Sequence, residues 1–368
     1  MHLSGKTHKF ARFLYSSTEG MKFLKRVGLC LICGLILLAC EKEGKTVYIN
    51  TDEDEVDRDM VFFVSKKGSL GDIGYVDALY RGVVRGANGC NLMLSLVEFP
   101  SDTAKAFVTL EYMLDYMQKD KPDRNALVVI ANDNFEPVLH RYGSLLTKAP
   151  NVDFLLCESG DTTLPIYTLR IPQYGVYYQA GLIASEGLSD VDSVLIVSAN
   201  PTEKGITEMR EGFTRAIKDS GANIYVENTY LSETSGGYDL ASQTYQQSYT
   251  IDKNFDLVIP LCGGSAQGFY RYNRENPESF YTLGVDTDMQ MYSTRVPFSV
   301  VKNLEDVLEE WIINWWNDNV EQRMHQDSGL AAGATGIVIA DAYKESLDGI
   351  TGKYYDTAVK KEEEYEGR

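Results

Sequence analysis

The sequence predicts an α/β protein made of two doubly wound lobes, and three observations carry that reading. Short strands that are apolar along their whole length alternate with amphipathic helices, as in parallel sheets covered on both faces. The alternation completes one unit and restarts after Gly175. Residues 40–368 number 329, more than one hydrophobic core usually serves.

The chain ahead of the first unit has a different character. Lys22, Lys25 and Arg26 precede an apolar run from Val27 to Leu38, and Leu37-Leu38-Ala39-Cys40 closes it with a small residue before a cysteine. That order predicts a secretory signal peptide over residues 1–39, with translation starting at Met21, cleavage before Cys40 and lipid on Cys40. The run is about a dozen residues, short of the ~20 a spanning helix needs. Several acyl chains at ~0.8 kcal/mol per methylene give durable anchoring. Residues 41–59 are polar, acidic and without period, and are expected to be a tether.

The first lobe is predicted over 60–173. MVFFVS (60–65) is a strand, and a loop over 66–72 leads to a helix with Tyr75, Leu79 and Val83 on one face. A strand at 91–99 and a helix at 102–118 follow, then strands at 125–133 and 152–159 with a helix from Phe135 to Thr147 between them. The second lobe begins with a helix at 175–188 and a strand at 192–199. Helices at 204–219, 238–250 and 265–274 then alternate with strands at 223–231, 255–264 and 279–288. Phe298–Lys302 is a further strand, and 304–320 is a helix whose Trp311, Trp315 and Trp316 are expected in a core. Residues 329–342 form a glycine-punctuated return, and the tail KKEEEYEGR is expected to be a solvated end.

Charge narrows the partners. Residues 1–39 hold 6 of the 35 Lys and Arg and 1 of the 53 Asp and Glu, so the remainder carries 29 basic and 52 acidic residues, net −23. Such a surface repels phosphate backbones, and nucleic-acid binding is not expected. Cys90, Cys157 and Cys262 are far apart, and only His140 and His325 follow Cys40, so no disulfide framework, metal site or cofactor is expected.

In doubly wound sheets ligands sit beyond the carboxyl ends of the strands or between lobes, so the loops there are the ones to examine. Asp72 can cap the following helix or meet a ligand, and Tyr75 can stack on a planar ligand or fill core. Gly263-Gly264 lets backbone approach closely, or is only a tight turn; without Lys-Ser/Thr it is a poor phosphate loop. In Gly284-Val285-Asp286-Thr287-Asp288 a carboxylate can accept two hydroxyls of a diol. The same pair reads as a glycosidase acid and nucleophile, though one residue apart suits that badly, or as a solvated acidic turn. Lys302, ending its strand, can bond a carbonyl or ring nitrogen, or pair with Asp286.

These stretches resemble, in order, the basic membrane protein family. Its members are substrate-binding lipoproteins of ABC importers and include purine-nucleoside receptor lipoproteins. Gly71-Asp72-Ile73-Gly74-Tyr75 is similar to the family's Asp-Asp-Lys-Ser-Phe, Tyr178-Gln179-Ala180-Gly181 to its Tyr-Leu-Ala-Gly, and Glu211-Gly212-Phe213 to its Gly-Phe motif. Gly263-Gly264 resembles its Ala-Gly-Gly turn, Gly284 to Met289 its Gly-Val-Asp-x-Asp-Gln, and Ser299-Val300-Val301-Lys302 its Ser-Val-Val-Lys. The resemblance implies a type I periplasmic-binding-protein fold, two Rossmann-like lobes joined by a multi-strand hinge of three crossings. The lobes would be 60–173 plus 302–326 and 174–301 plus 327–368.

The resemblance further implies a ligand held between lobes, with Tyr75 stacking, Asp286 accepting a diol and Lys302 as polar partner. Lys66, Asp72, Phe135, Met209, Gly263 and Gly264 complete the expected ligand contacts. Met209 stands where the family has a second aromatic, Val76 where it has Asn, and Lys66 where it has Asp. The expected function is a lipid-anchored, monomeric binding protein that delivers a purine nucleoside or similar molecule to an ABC permease, with no catalytic residue. It would face the periplasm or the cell surface. The alternatives are a surface hydrolase using Asp286 and Asp288, and a ligand-sensing lobe of a signalling system.

Overall fold

The computed structural model describes residues 47–48, 58–99, 103–131, 135–321 and 325–367. The leader, Cys40 and most of the tether lie outside them. Among the described residues no helix is long and apolar enough to cross a membrane.

Three sheets organise the chain. The first takes β1 (Val47–Tyr48), β2 (Met60–Lys66), β3 (Met93–Phe99), β4 (Ala126–Ile130), β5 (Val152–Cys157), β6 (Tyr167–Arg170) and β13 (His325–Asp327), in the order β1-β3-β2-β4-β5-β6-β13. The second takes β7 (Ser193–Ser198), β8 (Tyr225–Tyr230), β9 (Leu257–Leu261) and β10 (Tyr281–Thr282), in the order β10-β9-β7-β8. In the third, β11 (Gly284–Asp286) runs parallel to β12 (Phe298–Lys302), and β14 (Thr335–Ile339) pairs antiparallel with β12. Apart from β1 on β3, pairing in the first two sheets is parallel.

Alternate side chains of β2 enter different cores. Met60, Phe62 and Val64 join one cluster, and Val61 and Phe63 join another on the opposite face. Continuous apolarity is therefore the signature of a strand covered twice. Helices α1 (Tyr75–Gly89), α2 (Thr103–Lys119), α3 (Glu136–Arg141) and α4 (Gly143–Leu146) connect this sheet. The winding reverses at β2, between β3 and β4, and again at β7, between β8 and β9, which places a switch point in each sheet.

Helices α5 (Tyr174–Gly187), α6 (Lys204–Ser220), α7 (Ala241–Ile251) and α8 (Gln267–Glu275) serve the second sheet. Two of the short motifs meet here. A Cβ on Gly212 would stand 2.4 Å from Tyr174 O, and one on Gly181 would stand 2.6 Å from Ala216 Cβ. The glycines let α5 and α6 touch backbone to side chain, so Tyr178–Gly181 and Glu211–Phe213 are two halves of one contact.

The chain passes between the two bodies three times: from β6 to α5, from β12 to α9 (Leu304–Trp316), and from β13 to β14 and α10 (Lys344–Glu366). Helix α9 packs on α1, where a Cβ on Gly86 would lie 2.8 Å from Ile312 Cβ. Helix α10 packs on α5, where Gly187 makes room for Leu347.

The structure departs from the sequence reading in five places. Part of the expected tether, Val47–Tyr48, pairs with Leu96 and Ser95 at a sheet edge. The helix expected over 135–147 divides at Tyr142, before Gly143. The strand expected over 279–288 divides at Leu283, where the chain leaves β9 to pair with β12. The tail is helical through Glu366, and Glu362 within it is buried. Trp316, expected in a core, is 40 % exposed, whereas Trp311 and Trp315 are buried.

Candidate functional site

The loop between β2 and α1 ends in a carboxylate brace. Asp72 accepts hydrogen bonds from the backbone N–H groups of Gly74, Val76 and Asp77, and Asp77 accepts from Gly71 and Ile73. Asp72 thus acts as the helix cap, and burial raises its carboxyl despite those donors. The brace fixes Tyr75, whose hydroxyl donates to Ala131 O at 2.5 Å, just past β4 and across the first switch point.

Opposite this loop stand Asp286, ending β11, and Lys302, ending β12. A Cβ on Gly74 would lie 3.7 Å from Asp286 Oδ2, and Thr287 Oγ1 donates to Ile73 O at 3.2 Å. Lys302 Nζ lies 4.9 Å from the Tyr75 ring centroid, an arrangement that contributes roughly 0.5–2 kcal/mol. Three of the sequence candidates therefore come together: Tyr75, Asp286 and Lys302.

The group also contains a residue the sequence did not single out. Glu158, just past β5, takes Lys302 Nζ at 3.0 Å, while Asp286 Oδ1 is 3.7 Å from the same nitrogen. The side chains of Lys302, Asp286 and Glu158 are 7, 14 and 19 % exposed. Burial pulls the Lys302 ammonium down, but Glu158 and Asp286 outweigh it and leave it above its ordinary value. Burial pushes Asp286 up; Lys302 opposes this and Glu158 reinforces it. One ammonium serving two carboxylates leaves the more distant one, Asp286, undercompensated and ready to accept hydrogen-bond donors.

Backbone strain gathers in the same place. Ile73, Glu158 and Asp286 have φ of 53°, 58° and 66°, in the left-handed region that L side chains rarely adopt. For a β-branched residue such as Ile73 this is a true outlier, and such strain concentrates at ligand clamps.

Beside the charged group lies a cavity of about 10 Å³, the space of a single water. Asp72, Ile73 and Gly74 line it from one side, and Gly263, Gln267, Tyr270 and Asp286 are among those lining the other. Gly263, with φ of 50°, opens a short 3-10 turn, and a Cβ on Gly264 would lie 2.9 Å from Tyr238 O. Both glycines allow the turn to lie close to Tyr238. Gln267 and Tyr270 went unnoticed in the sequence because they lie inside a helix, although Gln267 opens that helix directly after the glycine turn.

The other candidates lie elsewhere. Lys66 ends β2 with an exposed side chain. Phe135 is buried against Phe99, with ring centroids 5.1 Å apart, and Met209 belongs to the core of the second body. Asp288 is exposed and bonds Gln290, so Asp286 and Asp288 do not face a common point.

The family model Bmp, described as ABC transporter substrate-binding protein PnrA-like, matches residues 60–365. A comparison with curated protein sequences gave no match. An ABC transporter solute-binding protein from Aeropyrum pernix K1 superposes with a TM-score of 0.64 at 14 % identity, over 81 % of this chain and 80 % of that one. One from Conexibacter woesei DSM 14684 gives 0.60 at 14 %, over 81 % and 95 %. A transcriptional activator of the comK gene from Bacillus halodurans gives 0.60 at 15 %, over 81 % and 98 %. At these identities the likeness is one of fold, the type I periplasmic-binding-protein arrangement, and a fold shared with an activator does not choose a function. The family match does so, at the level of the family: this chain belongs to the Bmp family of PnrA-like ABC transporter substrate-binding proteins.

Proposed function

We propose that the cleft bounded by Tyr75, Asp286 and Lys302 takes up a small, uncharged, planar and hydroxylated molecule, a purine nucleoside or a close analogue. The lobes are 60–173 plus 302–326 and 174–301 plus 327–368, a division supported by the packing of α9 on α1 and of α10 on α5. Opening at the connectors admits the ligand, and closure presents a joint surface to an ABC permease. Substrate-binding proteins of ABC transporters work outside the cytoplasm. We place this one there as a monomer held by lipid on Cys40.

The observation that carries the ligand class is the charge of the site. Glu158 and Asp286 face a single Lys302, so the cleft has more negative than positive charge. A phosphate or carboxylate there would meet repulsion, whereas a diol would bring donors to the undercompensated Asp286. Tyr75, held through its hydroxyl, offers a ring beside Lys302 on which a flat base can stack. Met209 and Phe135 support the ligand only indirectly, through the packing of their elements, while Asp72 lines the cavity beside Asp286. We assign no chemistry to the site, since binding and release need no reacting group.

Native mass spectrometry of freshly purified protein, with the released small molecule identified, tests this reading. A nucleoside or similar uncharged heterocycle supports it. A phosphorylated or carboxylate ligand contradicts it.

A further inference from the structure

Behind the cleft, on the connectors between lobes, lies a second buried charged group that the ligand reading does not use. Arg170 ends β6 immediately before the first crossing. Its Nε donates to Asp327 at 2.9 Å and one terminal nitrogen donates to Glu208 at 3.2 Å, while the other reaches Glu366. Asp327 lies on β13 in Arg170's own sheet, but Glu208 is on α6 and Glu366 on α10, in the other lobe. A single guanidinium thus holds the two bodies together through Glu208 and Glu366, while Asp327 fixes it to its own sheet.

The last turns of α10 also grip the connectors directly. Glu362 is buried, and its carboxylate accepts the N–H of Gly175 at 3.2 Å and of Leu330 at 2.8 Å. The first amide follows the first crossing and the second lies in the third. Glycine is required on both sides: a Cβ on Gly175 would stand 2.7 Å from Glu362 Cβ, and one on Gly329 would stand 2.2 Å from its Oε1. Tyr365 stacks on Tyr174 at 4.1 Å, closing the same joint.

Charge is unbalanced here. Glu208 is 3 % exposed, and its second oxygen takes the Gln173 N–H at 3.3 Å. Besides Arg170, Glu366 and Asp327, the groups around it are Lys204 on its own helix, Tyr365 on α10 and Lys302 on β12. His325 on β13 bonds Asp327 at 3.1 Å. Among the described residues no group of His, Cys, Asp and Glu is arranged to hold a metal ion. Excess buried negative charge is then relieved by a proton or by movement into water.

We propose that Arg170, Glu208, Glu362 and Glu366 form a proton-gated clasp on the hinge, shut when Glu208 carries a proton and loosened when it gives that proton up. Burial pushes the Glu208 carboxyl up to about 7 in the clasped form. Parting the lobes is the movement that returns this carboxylate to water, where its ordinary lower value is restored. Closure therefore takes up a proton, and rising pH favours the open form. Because Glu208 also acts on Lys302, its charge is felt in the cleft. The clasp requires only that the lobes move about their connectors, whatever the cleft binds.

Small-angle scattering of the ligand-free protein from about pH 5.5 to about 8.5 tests this, with no ligand added. The wild type is expected to shift to a larger radius of gyration on passing about pH 7, E208Q to stay compact throughout, and H325Q to follow the wild type. A wild-type radius independent of pH overturns the proposal, as does loss of the shift in H325Q but not in E208Q. If E208Q does not fold, amide exchange in the wild type decides, corrected for intrinsic pH dependence. Protection of Gly175 and Leu330 must fall across the same range relative to β7, and an unchanged ratio overturns the clasp.

Discussion

Lys302 Nζ sits 3.0 Å from Glu158 Oε1, nearer than to the Asp286 with which the sequence paired it. That preference decides the chemistry of the cleft: Glu158 takes most of the ammonium's attention, and Asp286 is left with acceptor capacity.

Removing the ammonium exposes the imbalance. K302M is expected to leave two mostly buried carboxylates unpaired and to lower stability by about 3 kcal/mol at neutral pH. Urea unfolding at neutral and mildly acidic pH checks this, since protonating the carboxylates restores part of the loss. A loss under about 1 kcal/mol at neutral pH would refute the pairing.

The titration of Asp286 gives a second test. Because burial raises its carboxyl and Glu158 adds to the effect, E158Q is expected to lower the Asp286 titration toward the ordinary aspartate range. Folded-state elevation of an acid means stability present at low pH and lost as pH rises through the folded value. Side-chain carboxyl carbon NMR reads the titration directly; a midpoint unmoved in E158Q contradicts the three-way arrangement.

The overall grammar was legible because β2, β4, β7 and β9 are buried on both faces over most of their length and so are written mainly in apolar residues. Asp286 and Lys302 could be singled out because each ends a strand, and Tyr75 because it opens the helix that follows one. Glu158 was not, since a single acid after a strand carries no pattern until Lys302 arrives from far along the chain. Phe135 and Met209 have the chemistry of stacking groups, but only packing reveals that both point into cores. The tail misled by composition: Glu362 and Glu366 lie one turn apart on a helix and serve the hinge, though the segment reads as a solvated charge run.

Glycine geometry separates close packing from loose. G212A, whose Cβ would meet Tyr174 O at 2.4 Å, is expected to cost about 1–3 kcal/mol by forcing α5 and α6 apart. G205A, on the same helix with nothing within 4 Å, is expected to be neutral or stabilising by up to about 1 kcal/mol. Thermal melts of the pair check the contrast; equal effects would contradict the interlocked helices.

Stability should carry the signature of Glu208 as well. Its elevated carboxyl, at about 7, contributes stability that is present below the ordinary glutamate value and lost as pH rises to that point. The loss is expected to be on the order of 3 kcal/mol. In E208Q that pH-dependent component should vanish from the unfolding free energy, and an unchanged slope would count against it.

In the function proposed for this chain, Asp286, close to Tyr75 and Lys302, grips an uncharged nucleoside-like ligand. Calorimetric titration of the wild type and D286A with adenosine, guanosine and inosine tests it most directly. Binding of at least one nucleoside by the wild type, weakened about tenfold or more in D286A with the fold intact, is the predicted result. Equal affinity in the two proteins, or no nucleoside bound by the wild type, would contradict it.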